Sequence, residues 1–228
     1  MSIAEKLTTI AENEPKVYEA GRRSFMETYQ GNAYDGSYLF ASPAWGDKTF
    51  YPVKDIDLQT NTFYYFSWWR VPYIDLAQRL DDCGVKILPA TKGGAYLQTF
   101  ANCYVTRLPE LDFSSIPTQM FDKTFYNART LVTIDKLILG EHTGTFNSTF
   151  HLCDALKNIV IEGTIASNIS FSSSPLTVDS MKSIIASLKD YSGTTTTKTL
   201  TLKATASQNL TDEDRQNITN KGWTLSEV

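Results

Sequence analysis

The residues best suited to molecular recognition lie in an aromatic run that follows Thr62. Its seven rings are Phe63, Tyr64, Tyr65, Phe66, Trp68, Trp69 and Tyr73. Alternate side chains of a strand point to opposite faces, so one core cannot take all of these rings and we expect some to be exposed. Exposed tyrosine and tryptophan offer a large apolar area with a polar edge, which suits a sugar or a protein partner. The candidate binding residues are Tyr64, Trp68, Trp69 and Tyr73. The alternative interpretation is that the run seals the junction before the first repeat.

The other chemically capable residues favour neither catalysis nor metal binding. The acidic pairs Asp55/Asp57 and Asp81/Asp82 have no EF-hand spacing, and we interpret them as solvated turn residues. His142 and His151 are the two histidines, and CxxC and HxxxH spacings are lacking, which argues against zinc. We also find no phosphate-binding glycine loop, GxSxG elbow or Cys/His nucleophile pair. The sequence therefore predicts no enzyme, no cofactor and no metal.

Composition narrows the class of partner. The 228 residues carry a net charge of −4 and no basic run, which argues against nucleic acid. No apolar stretch approaches the roughly 18 residues that span a bilayer, and the charged start MSIAEKLTTIAENE does not resemble a secretory signal. We therefore expect a virion-associated or cytoplasmic protein. The three cysteines, Cys83, Cys103 and Cys153, are too few for a disulfide framework, and we expect thiols.

The sequence contains internal repeats, and we expect these repeats to position the aromatic run. Three segments begin with Thr-Phe, and their phenylalanines are 25 residues apart, at Phe100, Phe125 and Phe150. Three positions after each ring comes a small residue: Cys103, Ala128 and Cys153. We expect each Thr-Phe portion to form one short helical turn, with the ring and the small residue facing inward. We expect the apolar portion that follows to pair as a strand with the next repeat, placing Leu131, Ile134, Leu156 and Ile159 in one core. The alternative is coincidental spacing within an ordinary α/β domain.

The segments on either side of the repeats complete the predicted organisation. Residues 1–30 read as a helical segment with a short apolar seam, which either oligomerises or attaches the chain, or packs over the open end of the repeats. Residues 31–61 form an irregular, aromatic-bearing connection, and residues 62–165 the repeats, with a degraded first copy at Thr62. Residues 166–228 form a closing α/β cap.

Within the cap, several local signals predict particular elements. Thr177 is placed to cap a helix with an apolar stripe that includes Met181, and we expect Gly193 to end it. KTLTLKA predicts a strand with Leu200 and Leu202 inward. Thr211 and Asp214 fit a capping box for a second helix, which we expect to end at Gly222, with Trp223 and Leu225 packing back. We interpret the polar runs SFSSS and GTTTTKT as turn or edge material.

The TFxxC…L…I units resemble the BspA-like class of leucine-rich repeats. The two ends, IAEKLTTIAENEPKVYEAGRR and PLTVDSMKSIIASLKDYSG…LTDEDRQNITNKGWTL, resemble small proteins encoded in phage and prophage structural regions of Gram-positive gut bacteria. The resemblance implies an α/β leucine-rich-repeat solenoid and a virion-associated or host-surface-binding interaction protein, and it carries over no catalytic residue. The alternative function is a carbohydrate-binding or adhesin-like module that uses the aromatic run. We expect a protein or cell-surface glycan partner, with homo-oligomerisation through the N-terminal helix as an open possibility.

Overall fold

The computed structural model describes residues 74–75, 77–78, 89, 100–101, 105–116 and 121–228. Its elements in chain order are β1 (Ile74–Asp75), β2 (Val105–Asp112), β3 (Thr133–His142), β4 (Asn158–Ile165), β5 (Ile169–Phe171), α1 (Val178–Ser187), β6 (Lys198–Leu202), α2 (Ala204–Ser207), α3 (Asp212–Asn220) and β7 (Trp223–Glu227). The predicted helical segment 1–30, the connection 31–61 and the aromatic run lie outside the described residues.

The described strands form two parallel sheets. One has the order β1-β2-β3-β4 and the other β5-β6-β7, and every pairing is parallel. A parallel pair needs a long connection that returns the chain to the same end of the sheet. The turns between β2 and β3 and between β3 and β4 provide this connection. Backbone hydrogen bonds also join the turns that precede β2, β3 and β4 from one repeat to the next. Examples are Phe100 N to Thr124 O at 2.8 Å and Phe125 N to Thr149 O at 3.1 Å.

A row of stacked phenylalanine rings marks the centre of these repeats. Phe100, Phe125 and Phe150 are buried, with ring centroids 5.6 and 5.3 Å apart between successive members. The same core contains the four aliphatic residues predicted for it: Leu131, Ile134, Leu156 and Ile159. The prediction of buried phenylalanines in register is therefore confirmed.

The row of stacked rings contains one more member than the three phenylalanines that we identified from the sequence. The ring of Phe171 stacks on that of Phe150 at 4.4 Å, and Phe171 ends strand β5. Ser174 follows it at the small-residue position and donates a hydrogen bond to the carbonyl of Cys153 at 3.2 Å. The interpretation of SFSSS as turn or edge material was therefore wrong for Phe171 and Ser174, which belong to the core.

In the second and third repeats, the Thr-Phe portion is a series of tight turns, not the helical turn that we predicted. Each turn is closed by a hydrogen bond from a backbone N–H to the carbonyl three residues earlier, such as Tyr126 N to Lys123 O at 3.0 Å. Two positions per repeat have positive φ, and each recurs after 25 residues: Lys123 (57°) and Ser148 (53°), then Asn127 (57°) and Leu152 (59°). A right-handed helix excludes such angles, so the chain instead makes two sharp bends in each of these repeats.

The C-terminal elements agree with the local signals, except at one glycine. Thr177 caps α1 by accepting from Ser180 N, and Thr211 and Asp214 form the predicted capping box of α3. Leu200, Leu202 and Trp223 are buried, and Gly222 lies just after α3 with φ of 75°. Helix α1, however, ends at Ser187, so Gly193 does not terminate it as we predicted. The chain leaves the helix at Leu188, which is extended, and Lys221 Nζ donates to the carbonyls of Ile185 and Ala186 at the helix end and to that of Leu188, at 2.8–3.0 Å.

Candidate interaction surface

The side of sheet β1–β4 that faces away from the core carries an ordered set of polar side chains. We call this set the outer sheet face: Arg107, Glu110, Thr133, Asp135, Lys136, Asn158, Val160 and Glu162. Strands β2 and β3 place two outward residues between inward ones, as with Asp135 and Lys136 between Ile134 and Leu137. Strand β4 places only Val160 between Ile159 and Ile161. The register shift in β3 absorbs this difference and keeps the apolar rows aligned.

Lys136 lies at the centre of a charged row across three strands. Its Nζ is 3.3 Å from Glu110 Oε2 and 3.4 Å from Glu162 Oε2. The hydrogen bonds to Glu110 and Glu162 and their negative charges raise the pKa of Lys136 above its ordinary value. These side chains are one-third or more exposed, so the row adds little stability but fixes where the charges stand.

A second ion pair lies beside this row. Arg107 makes a two-pronged contact with Asp135, with nitrogen–oxygen distances of 2.7 and 2.8 Å. Parallel hydrogen bonds of this kind hold both planar groups in one orientation. Val160, on the neighbouring strand, is 47% exposed and is one of two large apolar side chains exposed among the described residues. The outer sheet face thus combines fixed charges of both signs with one apolar contact point.

Two glycines allow the strands to meet at the end of this face. Gly140 and Gly163 pair in neighbouring strands, with φ of 58° and 102°. A Cβ atom on Gly163 would lie 2.5 Å from both the nitrogen and the oxygen of Gly140. Side chains are thus excluded at this position by backbone contact, which fixes the spacing of β3 and β4.

A second group of surface side chains, smaller than the outer sheet face, lies on the turns of the repeats. The rings of Tyr126 and the exposed His151 stack at 5.4 Å, and they occupy equivalent positions in successive repeats. Nearby, Arg129 Nη1 contacts Asp154 Oδ2 at 3.1 Å, again across 25 residues. This pair of rings and pair of charges repeat the spacing of the core phenylalanines on the solvent side.

None of the predicted binding residues belongs to the part of the chain that the structure describes. The candidate binding residues Tyr64, Trp68, Trp69 and Tyr73 lie outside the described residues, as do both acidic pairs. His142 is buried beside the rings of Phe121 and Phe146, with centroids 5.1 and 4.8 Å away. Cys153 is a buried thiol, as predicted, whereas Cys83 and Cys103 are outside the described residues.

Two further observations concern the described residues alone. Nowhere in them do three histidine, cysteine or carboxylate side chains gather as a metal site would require. Of the helices α1, α2 and α3, none has the length and apolarity needed to cross a membrane.

Sequence reasoning did not identify the outer sheet face, although a signal for it exists. Glu110, Lys136 and Glu162 follow one another at intervals of 26 residues, one more than the phenylalanines. Opposite charges at nearly the repeat length indicate cross-strand pairs in a stacked structure.

Comparison with known proteins gives no family for the chain. No protein-family model, no curated protein and no solved structure matches it.

Proposed function

We propose that this chain is a short leucine-rich-repeat solenoid that acts as a non-enzymatic interaction protein through its outer sheet face. The observation that carries the proposal is the arrangement of Arg107–Asp135, Glu110–Lys136–Glu162 and Val160 on three consecutive parallel strands. Stacked repeats typically use such extended faces for binding. Because the two-pronged contact orients Arg107 and Asp135 before a partner arrives, little side-chain entropy is lost at this pair on binding.

The face favours a protein partner with charges of both signs. Arg107 and Lys136 contribute two positive charges, while Glu110, Asp135 and Glu162 contribute three negative ones. A mixed face of this kind gives specificity through pairing and does not create a strong field that would attract a polyanion. The resemblance to phage and prophage structural proteins makes a tail component or a host-surface protein the partner that we propose.

A carbohydrate-binding or adhesin-like role is the second candidate. The stacked Tyr126 and His151 rings on the turns favour it, because aromatic rings at a surface bind the apolar faces of sugars. This candidate uses a different surface, so variants can separate the two. Binding that depends on Val160 supports the first proposal, and binding to a glycan that depends on Tyr126 supports the second.

The test uses the full chain as immobilised bait with tail particles and cell-envelope extract from a producing bacterium. Val160→Asp adds a charge at the exposed apolar position of the outer sheet face, on its edge strand β4. Arg129→Glu is the matched control, since it reverses a charge on the turn surface and breaks only local contacts there, the ion pair with Asp154 and the hydrogen bond to Asn127. Quantitative mass spectrometry measures which proteins each bait retains.

We expect at least one protein that wild type and Arg129→Glu retain equally and that Val160→Asp retains about tenfold less. Equal retention of every protein by all three baits contradicts the use of the outer sheet face. A glycan array probed in parallel with wild type and Tyr126→Ala decides the second candidate. Selective glycan binding that Tyr126→Ala abolishes would replace the first proposal with the second.

A further inference from the structure

Two edge strands, β4 of one sheet and β7 of the other, differ in how their open sides are covered. At β4, serine hydroxyls of α1 satisfy backbone groups that a further strand would otherwise bond. Ile159 N donates to Ser180 Oγ, and Ile161 N donates to Ser183 Oγ, both at 2.9 Å. Ile161 O accepts from Ser183 at 3.1 Å and from Ser187 at 2.9 Å. This edge is covered, as exposed edges in natural sheets usually are.

At β7, the backbone groups alternate between the neighbouring strand and the open side. Val228 donates to Leu202 O at 3.1 Å and accepts from Ala204 N at 2.7 Å, so its peptide groups face β6. In a regular parallel ladder the residues two and four positions earlier, Ser226 and Thr224, face β6 as well. Trp223, Leu225 and Glu227 therefore direct their peptide groups away from β6.

These outward groups form an open edge. Within residues 121–228 and the shorter described stretches, no hydrogen bond ends on the backbone N–H or C=O of Leu225, nor on the N–H of Glu227. Leu225 is half-buried against the core, whereas Thr224 on the other side of the strand is exposed. The edge thus offers unpaired donors and acceptors next to an incompletely covered leucine.

We propose that a second copy of the chain pairs with this edge, β7 against β7 and antiparallel, on a two-fold axis at Leu225. The two Leu225 residues then exchange both backbone hydrogen bonds, which is the pattern of a hydrogen-bonded antiparallel pair. Sheet β5-β6-β7 becomes one six-stranded sheet across the two copies. Because both copies use the same edge, the contact closes as a dimer and leaves no β7 strand unpaired.

The side chains of β7 are compatible with this axis. Thr224 of one copy lies opposite Ser226 of the other, and such hydroxyl pairs are favourable across strands. Glu227 lies opposite Trp223, so the pairing brings no two like charges face to face. The two Leu225 side chains meet on the core side and cover each other. A second copy therefore fits the edge in register, hydrogen bonding and charge.

The experiment measures the oligomeric state of the full chain by sedimentation velocity across a concentration series up to high micromolar. Two double variants change only residues 224 and 226. Thr224→Lys with Ser226→Lys places like charges opposite each other twice in the dimer. Thr224→Lys with Ser226→Glu places opposite charges there instead, and it is the matched control. Thermal melts of the three proteins establish that each is folded.

We expect wild type to dimerise, the double-lysine variant to dimerise at least about tenfold more weakly, and the Lys/Glu variant to dimerise at least as well as wild type. A wild type that stays monomeric throughout the series overturns the proposal and leaves the edge to a strand of another protein. A double-lysine variant that dimerises like wild type also overturns it, because the contact must then lie elsewhere, such as the N-terminal segment. If the double-lysine variant unfolds, the comparison of wild type with the Lys/Glu variant still decides, since loss of the dimer in the latter contradicts the pairing.

Discussion

The thiol of Cys153 donates a hydrogen bond to the backbone carbonyl of Phe125, with sulfur and oxygen 3.1 Å apart. Both residues are buried, and they belong to successive repeats. Ser174 repeats the contact one turn later, donating to the carbonyl of Cys153 at 3.2 Å. The small residues that follow Phe150 and Phe171 therefore connect each of these two repeats to the backbone of the preceding one.

Substitutions at Cys153 test this contact. We expect Cys153→Ser to keep the donor and to change the free energy of unfolding by less than about 1 kcal/mol, and Cys153→Ala to lose about 1 kcal/mol with the hydrogen bond. Cys153→Leu adds volume against the Phe125 carbonyl and should lose about 1–3 kcal/mol or more. Urea unfolding followed by circular dichroism measures all three. A leucine variant as stable as wild type contradicts the close approach.

Removal of the central ring should be among the most damaging core changes. Phe125 is buried between Phe100 and Phe150, with centroids at 5.6 and 5.3 Å, so Phe125→Ala leaves a cavity in contact with both. We expect a loss of about 3–5 kcal/mol in the free energy of unfolding. Tyr126→Ala, at the adjacent half-buried position, is the control and should lose much less. Similar losses for both variants would show that the stacked row has no special role.

The parts of this core that could be predicted are those set by large side chains at a constant interval. Phe125 and Phe150 stand out in the sequence because burying one ring against the next fixes both their type and their spacing. Phe171 was missed because it follows Phe150 after only 21 residues and is surrounded by serines. The serines have a structural reason, since Ser174 donates to a carbonyl where the earlier repeat uses cysteine.

The turns and the outer sheet face could not be predicted by the same reasoning. A residue such as Leu152, with φ of 59°, gives no sign of a left-handed conformation, because leucine rarely adopts it. The residues on either side of it are bonded to the preceding repeat, His151 O by Asn127 N at 2.8 Å and Cys153 Sγ to Phe125 O at 3.1 Å, and these bonds hold the chain in that turn. Likewise, Lys136 faces outward because β3 contains an additional residue relative to β4, and strict alternation places such residues incorrectly.

Substitutions at two glycines with positive φ can separate the destabilisation caused by a steric clash from that caused by backbone conformation. Gly163 has φ of 102° and would place a Cβ 2.5 Å from the backbone of Gly140, whereas Gly193 has φ of 73° and no atom within 4 Å of a Cβ. We expect Gly193→Ala to cost about 1–2 kcal/mol, from conformation alone. Gly163→Ala should cost clearly more, because β3 and β4 must separate. Equal losses in thermal or urea unfolding contradict the strand contact.

Acid should weaken the hydrogen bonds that the Asp122 carboxylate accepts from Thr145 and Asn147 in the next repeat. Burial alone raises the pKa of this carboxyl, but hydrogen bonds from Thr145 Oγ1 and from the side chain and backbone of Asn147 outweigh it and lower the pKa below 3.8. As the pH falls, the unfolded chain therefore takes up the proton first. This contribution to stability is present above the unfolded pKa and is lost as the pH falls through the folded one.

Asp122→Asn provides the measurement. We expect the variant to be less stable than wild type at neutral pH and the difference to shrink as the pH approaches the folded pKa. The slope of the free energy of unfolding against pH measures how many protons the chain takes up on unfolding. In this pH range we expect that number to be smaller in the variant than in wild type, by up to one proton. Asp179→Asn, at an exposed carboxyl in the first turn of α1, is the control for a general charge effect. Parallel pH profiles for wild type and Asp122→Asn would contradict the contact.

The central claim is that consecutive repeats stack in register, and disulfide trapping tests it most directly. Thr133 and Asn158 pair across β3 and β4, and Arg107 pairs with Thr133 on the other side, two strands from Asn158. In a chain whose native cysteines are replaced by serine, cysteines at 133 and 158 should lie about 5 Å apart and form a bridge on mild oxidation. Cysteines at 107 and 158 should lie about 10 Å apart and stay reduced. Mass spectrometry of the intact protein distinguishes the two results, and a bridge in the second variant but not in the first would contradict the stacked register.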